Sequence, residues 1–242
     1  MNDQQLLGRT PVGTAKLGRY TRDLSFERRL SGAVEGEVRF DAFTRGRFAT
    51  DASIYQIMPA GVLFPKTVAD VEAAVVVARE HGVPITARGA GTSQNGQAVG
   101  HGLIIDFSRH LNGLVDYRRE ERTVTVEPGM VLASLNARLA KDGIFFPVEP
   151  STSSRCTIGG MTGNNSSGAR SLRFGMTADN VLGIEALFSD GSAFAFGAPD
   201  DPAAVRGGEQ AETLARQLVS LAGRQAGEMA KRIPKVQRRV AG

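Results

Sequence analysis

The chain has 242 residues, of which 41% are hydrophobic and 22% charged, with a net charge of +4. That composition supports a folded core and argues against disorder, and no apolar run approaches the roughly 20 residues of a membrane span. The single cysteine, Cys156, excludes an internal disulfide and a multi-cysteine metal site. The start, "MNDQQLLGRTPVGT", lacks the apolar stretch of a secretory signal. The expected location is therefore the cytoplasm, with peripheral attachment at the inner membrane as the alternative. The densest basic run, "KRIPKVQRR" at 231–239, has no interleaved aromatics, and the chain has no Trp. It reads as a solvated segment, and no nucleic-acid partner is expected.

Residues 1–54 read as a polar lead-in with a helix around 23–31. The run "VLFP" is a strand. A helix follows, capped by Thr67 with Asp70 three residues on, and striped by Val68, Val71, Val75 and Ala78. Gly82 suits a left-handed helix stop, and Val83–Ala87 is the next strand. It runs into the loop "ARGAGTSQNGQ", after which "LIIDF" is strand again. "LVDYRREERTVTVEPG" reads as a hairpin turning at Arg118–Arg122. A helix carrying Leu132, Leu135 and Leu139 ends at Gly143. A long irregular stretch, "PSTSSRCTIGGMTGNNSSG", precedes a hairpin turning at Asp190-Gly191. The last helix carries Leu214, Leu218 and Leu221 as its apolar stripe. The class is α+β.

The two glycine-rich loops carry the chemical signal. Gly89, Gly91 and Gly96 let the backbone approach a ligand, and successive N–H groups can form an anion-binding concavity. Thr92, Ser93 and Asn95 add uncharged donors suited to a pyrophosphate. Arg88 either assists electrostatically or makes a structural ion pair. The loop fits neither common phosphate motif: no Gly-Lys-Ser/Thr occurs, and the third glycine of G-x-G-x-x-G is missing. Taken alone it is also compatible with an unliganded surface turn. The second loop adds hydroxyls at Ser151, Thr152 and Thr157, close-approach glycines at Gly159, Gly160 and Gly163, and amides at Asn164 and Asn165. So long an irregular stretch is uncommon without a function. Cys156 is either a thiolate favoured by Arg155 or a small packing residue. His81, His101 and His110 lack paired carboxylate motifs and are not assigned as a catalytic base.

Together, "VPITARGAGTSQNGQAVGHGLIIDFSRHLN", "TVTVEPGMVLASLNARLAKDG" and "FPVEPSTSSRCTIGGMTGNNSSGARSLRFGMTADNVLGIEALFSDG" resemble the FAD-binding domain of the FAD-linked oxidases of the vanillyl-alcohol oxidase, or PCMH, type. The flavin-binding chain of glycolate oxidase, D-lactate dehydrogenase and the D-2-hydroxyglutarate dehydrogenase-like branch are of that type. The resemblance implies a PCMH-type domain over residues 55–242, a small α/β subdomain followed by a larger mixed-sheet subdomain, ending before that domain is complete. It implies that Arg88, Gly89, Ala90, Gly91, Thr92, Ser93, Asn95, Gly96 and Gln97 hold the FAD pyrophosphate. Pro128 and Gly129 lie beside the flavin. Pro150, Ser151, Thr152, Thr157, Gly159, Gly160, Gly163, Asn165 and Gly168 form a second clasp, with Val181 and Ile184 toward the adenine end. Covalent relatives often carry His where Thr92 stands, so FAD is expected to be noncovalent. The implied reaction is hydride transfer from a 2-hydroxy acid to the flavin, with an iron–sulfur domain or subunit as electron acceptor. Substrate-binding and base residues are expected beyond Gly242. The alternative is a noncatalytic nucleotide-binding module that works with a separate catalytic chain.

Overall fold

The computed structural model describes residues 23–197 and 206–235. Its first part is a four-stranded sheet of Glu37–Arg39 (β1), Gly61–Phe64 (β2), Ile85–Arg88 (β3) and Leu103–Asp106 (β4), in the order β1-β2-β4-β3. β2, β4 and β3 are parallel, and β1 lies antiparallel on the β2 edge. Every residue of β2 and β4 is buried, the pattern of parallel strands covered on both faces. Side chains alternate across the sheet. Leu63, Leu103 and Ile105 pack with Phe26 and Leu30 of the helix Leu24–Ala33 (α1) and with Ala74, Val77 and Ala78 of the helix Val68–Glu80 (α3). Val62, Phe64 and Ile104 meet Phe48 on the opposite face. Phe48 follows a short helix, Ala42–Arg47 (α2).

The structure places residues 23–48, part of the expected lead-in, within the sheet layer, and the helix expected around 23–31 forms as α1. α1 covers one face, β1 extends the edge, and Phe48 covers the other face. α3 forms as expected, with the capping box of Thr67 and Asp70 complete. Its buried stripe differs in part: Ala74, Val75, Val77 and Ala78 are buried, whereas Val68, in the first turn, is exposed. Gly82 adopts φ +62° at the stop.

The second part contains two antiparallel hairpins. They are Leu114–Arg118 (β5) with Thr123–Val126 (β6), and Ile184–Leu187 (β7) with Ala193–Phe196 (β8). Between them lie the helices Leu132–Leu139 (α4), Ile158–Gly163 (α5) and Ser171–Phe174 (α6). Leu135 and Leu139 of α4 pack with Met130, and Leu132 packs with Val148, Cys156 and Met161. Gly143 follows at φ +71°. The final helix, Gly208–Arg232 (α7), buries only Ala211, and Leu218 and Leu221 of the expected stripe are exposed. The basic run enters the end of α7 through Lys231 and Arg232, where cations suit the helix dipole. Its residues 236–239 lie outside the described residues. Among the described residues, no helix is long and apolar enough to cross a membrane.

Asp70 ties the first part together. Its buried carboxylate accepts the backbone N–H groups of Glu35 (2.7 Å), Lys66 (2.8 Å) and Thr67 (3.3 Å), joining the turn before β1 to the start of α3. Asp70→Ala strands these donors and is expected to destabilise the fold by about 3 kcal/mol. Thr67→Ala, which removes only a cap, is expected to cost about 1 kcal/mol. Urea unfolding of the two variants checks the ranking.

Candidate cofactor site

The first glycine loop leaves the carboxyl end of β3, the end at which open parallel sheets commonly place ligands. Gly91 and Gly96 take φ +68° and +81°, values at which a side chain is strained. Among the described residues, no backbone N–H from Gly89 to Asn95 has a hydrogen-bond acceptor. The loop from Gly89 to Gln97 contains no carboxylate. It therefore offers free amide and hydroxyl donors with no fixed negative charge of its own.

The loop's backbone is nevertheless anchored. Arg88 Nη1 donates to the carbonyl of Ala98 (3.0 Å), where the loop ends, and to that of Phe48 (3.4 Å). Nη2 donates to the carbonyl of Thr50 (2.9 Å). The guanidinium lies over the Phe48 ring at 5.0 Å. Burial lowers the Arg88 pKa, and Asp106 and Asp51 oppose that shift with negative charge. Gly91 presents its carbonyl to the N–H of Ala52 (3.1 Å). Tyr55 packs against Gly96, where a Cβ would come within 2.7 Å of its ring. Sequence reasoning missed this segment, 48–55. Its hydrogen bonds to the loop use mainly backbone groups, which leave no residue signature.

The second loop meets the first directly. A Cβ on Gly89 would stand 2.2 Å from Thr157 Oγ1, so a glycine is required for the contact. Gln97 Nε2 donates to Asn164 Oδ1 at 2.9 Å. The Glu127-Pro128-Gly129 turn joins the same assembly. Gly159 N–H donates to the Pro128 carbonyl (2.9 Å), Ile158 N–H to that of Met130 (2.8 Å), and Gly129 N–H to that of Leu111 (2.7 Å). The second loop is less irregular than its composition implies. Thr157 caps the short helix α5, accepting from Gly160 N–H at 3.3 Å, and consecutive glycines had masked this helix. Pro150 and Thr152 close a turn by accepting from Ser153 N–H (3.0 Å) and Cys156 N–H (2.8 Å), with Ser151 exposed between them. Gly168 abuts Glu149, whose carbonyl would lie 2.0 Å from a Cβ there. Asn165, at φ +42°, accepts from Ala178 N–H at 2.9 Å. Gly163 ends α5 with open space beside it. Val181 and Ile184 lie downstream, Ile184 in register with Phe196 and exposed. Among the described residues, no hydrogen bond ties either to the loops.

The remaining candidates are structural. His81 ends α3, with its ring nitrogen 3.4 Å from Asp23 Oδ2 and its ring against Phe26. Cys156 is buried, its thiol lies 3.6 Å from Met161 Sδ, and burial pushes its pKa up.

Two linked loops, one with free donors at the end of a parallel strand, are arranged as a cradle that could hold an extended phosphate-containing ligand. Residues 59–197 match the family model described as "FAD binding domain", more than half of the chain. The chain belongs to this family, and its cofactor is FAD. The D-2-hydroxyglutarate dehydrogenase of Pantoea ananatis (strain AJ13355) is 45% identical over 146 residues, covering 59% of this chain and 14% of the relative. Glycolate oxidase subunit GlcD of Bacillus subtilis (strain 168) is 33% identical over 162 residues, covering 65% of this chain and 34% of the relative. The chain thus spans only a part of these relatives. A solved alkyldihydroxyacetonephosphate synthase aligns with a TM-score of 0.66 at 20% identity, over 78% of this chain and 36% of that one. Wild-type Physcomitrella patens BBE-like 1 aligns at 0.62 and 21% identity, over 73% and 38%. The fold is that of the PCMH-type FAD-binding oxidases. FAD suits the residues present, because the acid-free loop offers its unpaired donors to the many oxygens of a pyrophosphate.

The thiolate is the reactive form of cysteine, so the raised Cys156 pKa keeps the group protonated and unreactive near neutrality. Alkylation by iodoacetamide at pH 7.5 is expected to be far slower in the folded chain than in the urea-unfolded chain, and mass spectrometry of timed samples measures the ratio.

Proposed function

We propose that the chain is the FAD-binding part of an oxidoreductase acting on D-2-hydroxy acids of the 2-hydroxyglutarate, lactate or glycolate class. The observation that carries the reading is the free-donor loop Gly89–Asn95, latched to the second loop through Gly89 against Thr157 and through Gln97 to Asn164. The names of the relatives supply the substrate class. In this reading Ala90, Gly91, Thr92, Ser93 and Asn95 surround the pyrophosphate with amides and hydroxyls. Pro128, Gly129, Gly159 and Gly160 border the flavin side, where side-chain-free backbone permits close approach. Val181 and Ile184 belong to the adenine end. Bound FAD supplies the electron pair acceptor for oxidation of the carbinol carbon. The residues of this chain bind and orient it. Thr92 has no ring nitrogen to bond the flavin, so FAD is held noncovalently. The electron acceptor is an iron–sulfur domain or subunit, and the protein works in the cytoplasm.

The exposed stripe of Leu218 and Leu221 on α7 favours a second reading, in which the chain is an FAD-binding module completed by a separate catalytic chain. The two readings divide on substrate. In the first, D-2-hydroxyglutarate, D-lactate or glycolate bleaches the flavin only in a single chain that also carries the substrate-binding and base residues, the 242-residue chain alone being inactive; in the second, bleaching appears once a separate catalytic chain is added.

Titration with FAD, followed by flavin fluorescence, is expected to show saturable binding by the purified 242-residue chain. Gly89→Val, which drives a side chain into Thr157, is expected to weaken that binding by at least about tenfold. Fluorescence unchanged by the wild-type chain overturns the reading.

A further inference from the structure

We infer that Arg88 is a positioning residue, a clasp that sets the shape of the cofactor loop from beneath and leaves phosphate contact to the loop's amides. The inference deepens the FAD reading and rests on it for the affinity effect alone. Arg88 is 9% exposed, and its guanidinium is committed to three carbonyls. Those of Phe48 and Thr50 lie on one segment, and that of Ala98 lies where the loop ends. The same segment returns a bond to the loop, from Ala52 N–H to the carbonyl of Gly91 (3.1 Å). Gly91 stands directly over the guanidinium: a Cβ there would lie 2.4 Å from Arg88 Nη2. Arg88, Gly91 and the 48–52 segment thus form a closed unit. Within it, Gly91 leaves the guanidinium the space that a Cβ would occupy. Asp51 and Asp106 balance the buried charge.

This unit explains how a loop rich in glycine can keep its N–H groups free of protein acceptors. Without the clasp, the chain from Gly89 to Asn95 is free to turn its donors toward water or protein carbonyls, and binding would then require reordering it. A lysine carries the same charge but lacks the planar fork that spans Thr50 and Ala98 together. Arginine geometry, more than charge, is therefore the requirement.

The test uses the 242-residue chain as wild type, Arg88→Lys and Gly91→Ala. In the cofactor-free protein, the backbone amide order of Gly91, Thr92 and Gly96 is read by nitrogen-15 relaxation, well below each variant's melting temperature. Arg88→Lys is expected to lower amide order in this loop alone, and to weaken FAD by at least about tenfold despite the retained charge. Gly91→Ala attacks the same contact from the loop side. It is expected to do the same, and the double variant is expected to lose less than the sum of the single losses. Should Arg88→Lys fail to fold, Gly91→Ala decides alone. Wild-type loop order in the variants overturns the clasp, as does FAD affinity within twofold of wild type. If the wild-type chain does not bind FAD, the FAD reading fails, while the relaxation data still decide the clasp.

Discussion

A guanidinium removed from water needs an acceptor for each donor that can no longer be solvated. Arg88 meets that need with main-chain carbonyls on both sides of it, and the cofactor loop is organised around this contact. The sheet brings Arg88 there as the last residue of β3, in register with Asp106 on β4. The opposite face of the sheet holds Phe48 through Val62, Phe64 and Ile104. Packing of Phe48 therefore brings the carbonyls of Phe48 and Thr50 within reach of the guanidinium. An apolar contact under the sheet and a polar contact at its end belong to one arrangement.

The second constraint is the seam between the loops. Thr157 caps α5 with its hydroxyl and presents the same atom to Gly89. Any side chain at Gly89 would separate α5 from β3. Across the same seam, the turn at Pro128 and Gly129 receives Gly159 N–H and packs against Phe107, whose carbonyl would lie 2.0 Å from a Cβ on Gly129. Glycine serves here as the residue that permits backbone contact. Few of these glycines are needed for chain flexibility.

Local chemistry was the most legible in the sequence. The Thr67–Asp70 box, the left-handed stops at Gly82 and Gly143, and the Asp190-Gly191 turn depend on residues a few positions apart, and each formed where expected. Both glycine loops were recognisable from composition and order. What was hidden was remote in sequence or carried by backbone. α1 formed where a helix was expected around 23–31, but its packing on the sheet through Phe26 and Leu30, and the three-residue strand β1, were not legible. The alternatives for Arg88 could not be separated from sequence, because its hydrogen-bonding partners are carbonyls. The reverse held for α7, where the leucine stripe was plain but nothing in it indicated what it faces.

The kind of donor the cradle uses also bears on the division of labour within such an oxidoreductase. From Gly89 to Gln97 the available groups are amides and hydroxyls, none of which gains or loses charge between about pH 5 and pH 9. In the proposed reading such groups would hold a pyrophosphate with a strength that pH does not tune, and they take no part in acid–base chemistry. Three ionisable side chains beside the loop are committed to structure: Arg88 to carbonyls, Asp106 to Ser108 N–H at 2.8 Å, and Asp51 to Ser53 N–H at 2.8 Å. Oxidation of a hydroxy acid must also move a proton from the hydroxyl, and that demands a group able to change charge. A loop built to bind at constant strength is unsuited to that role. In the proposed reading, holding the cofactor and moving the proton therefore fall to different parts of the machinery, and the loop's chemistry suits the first.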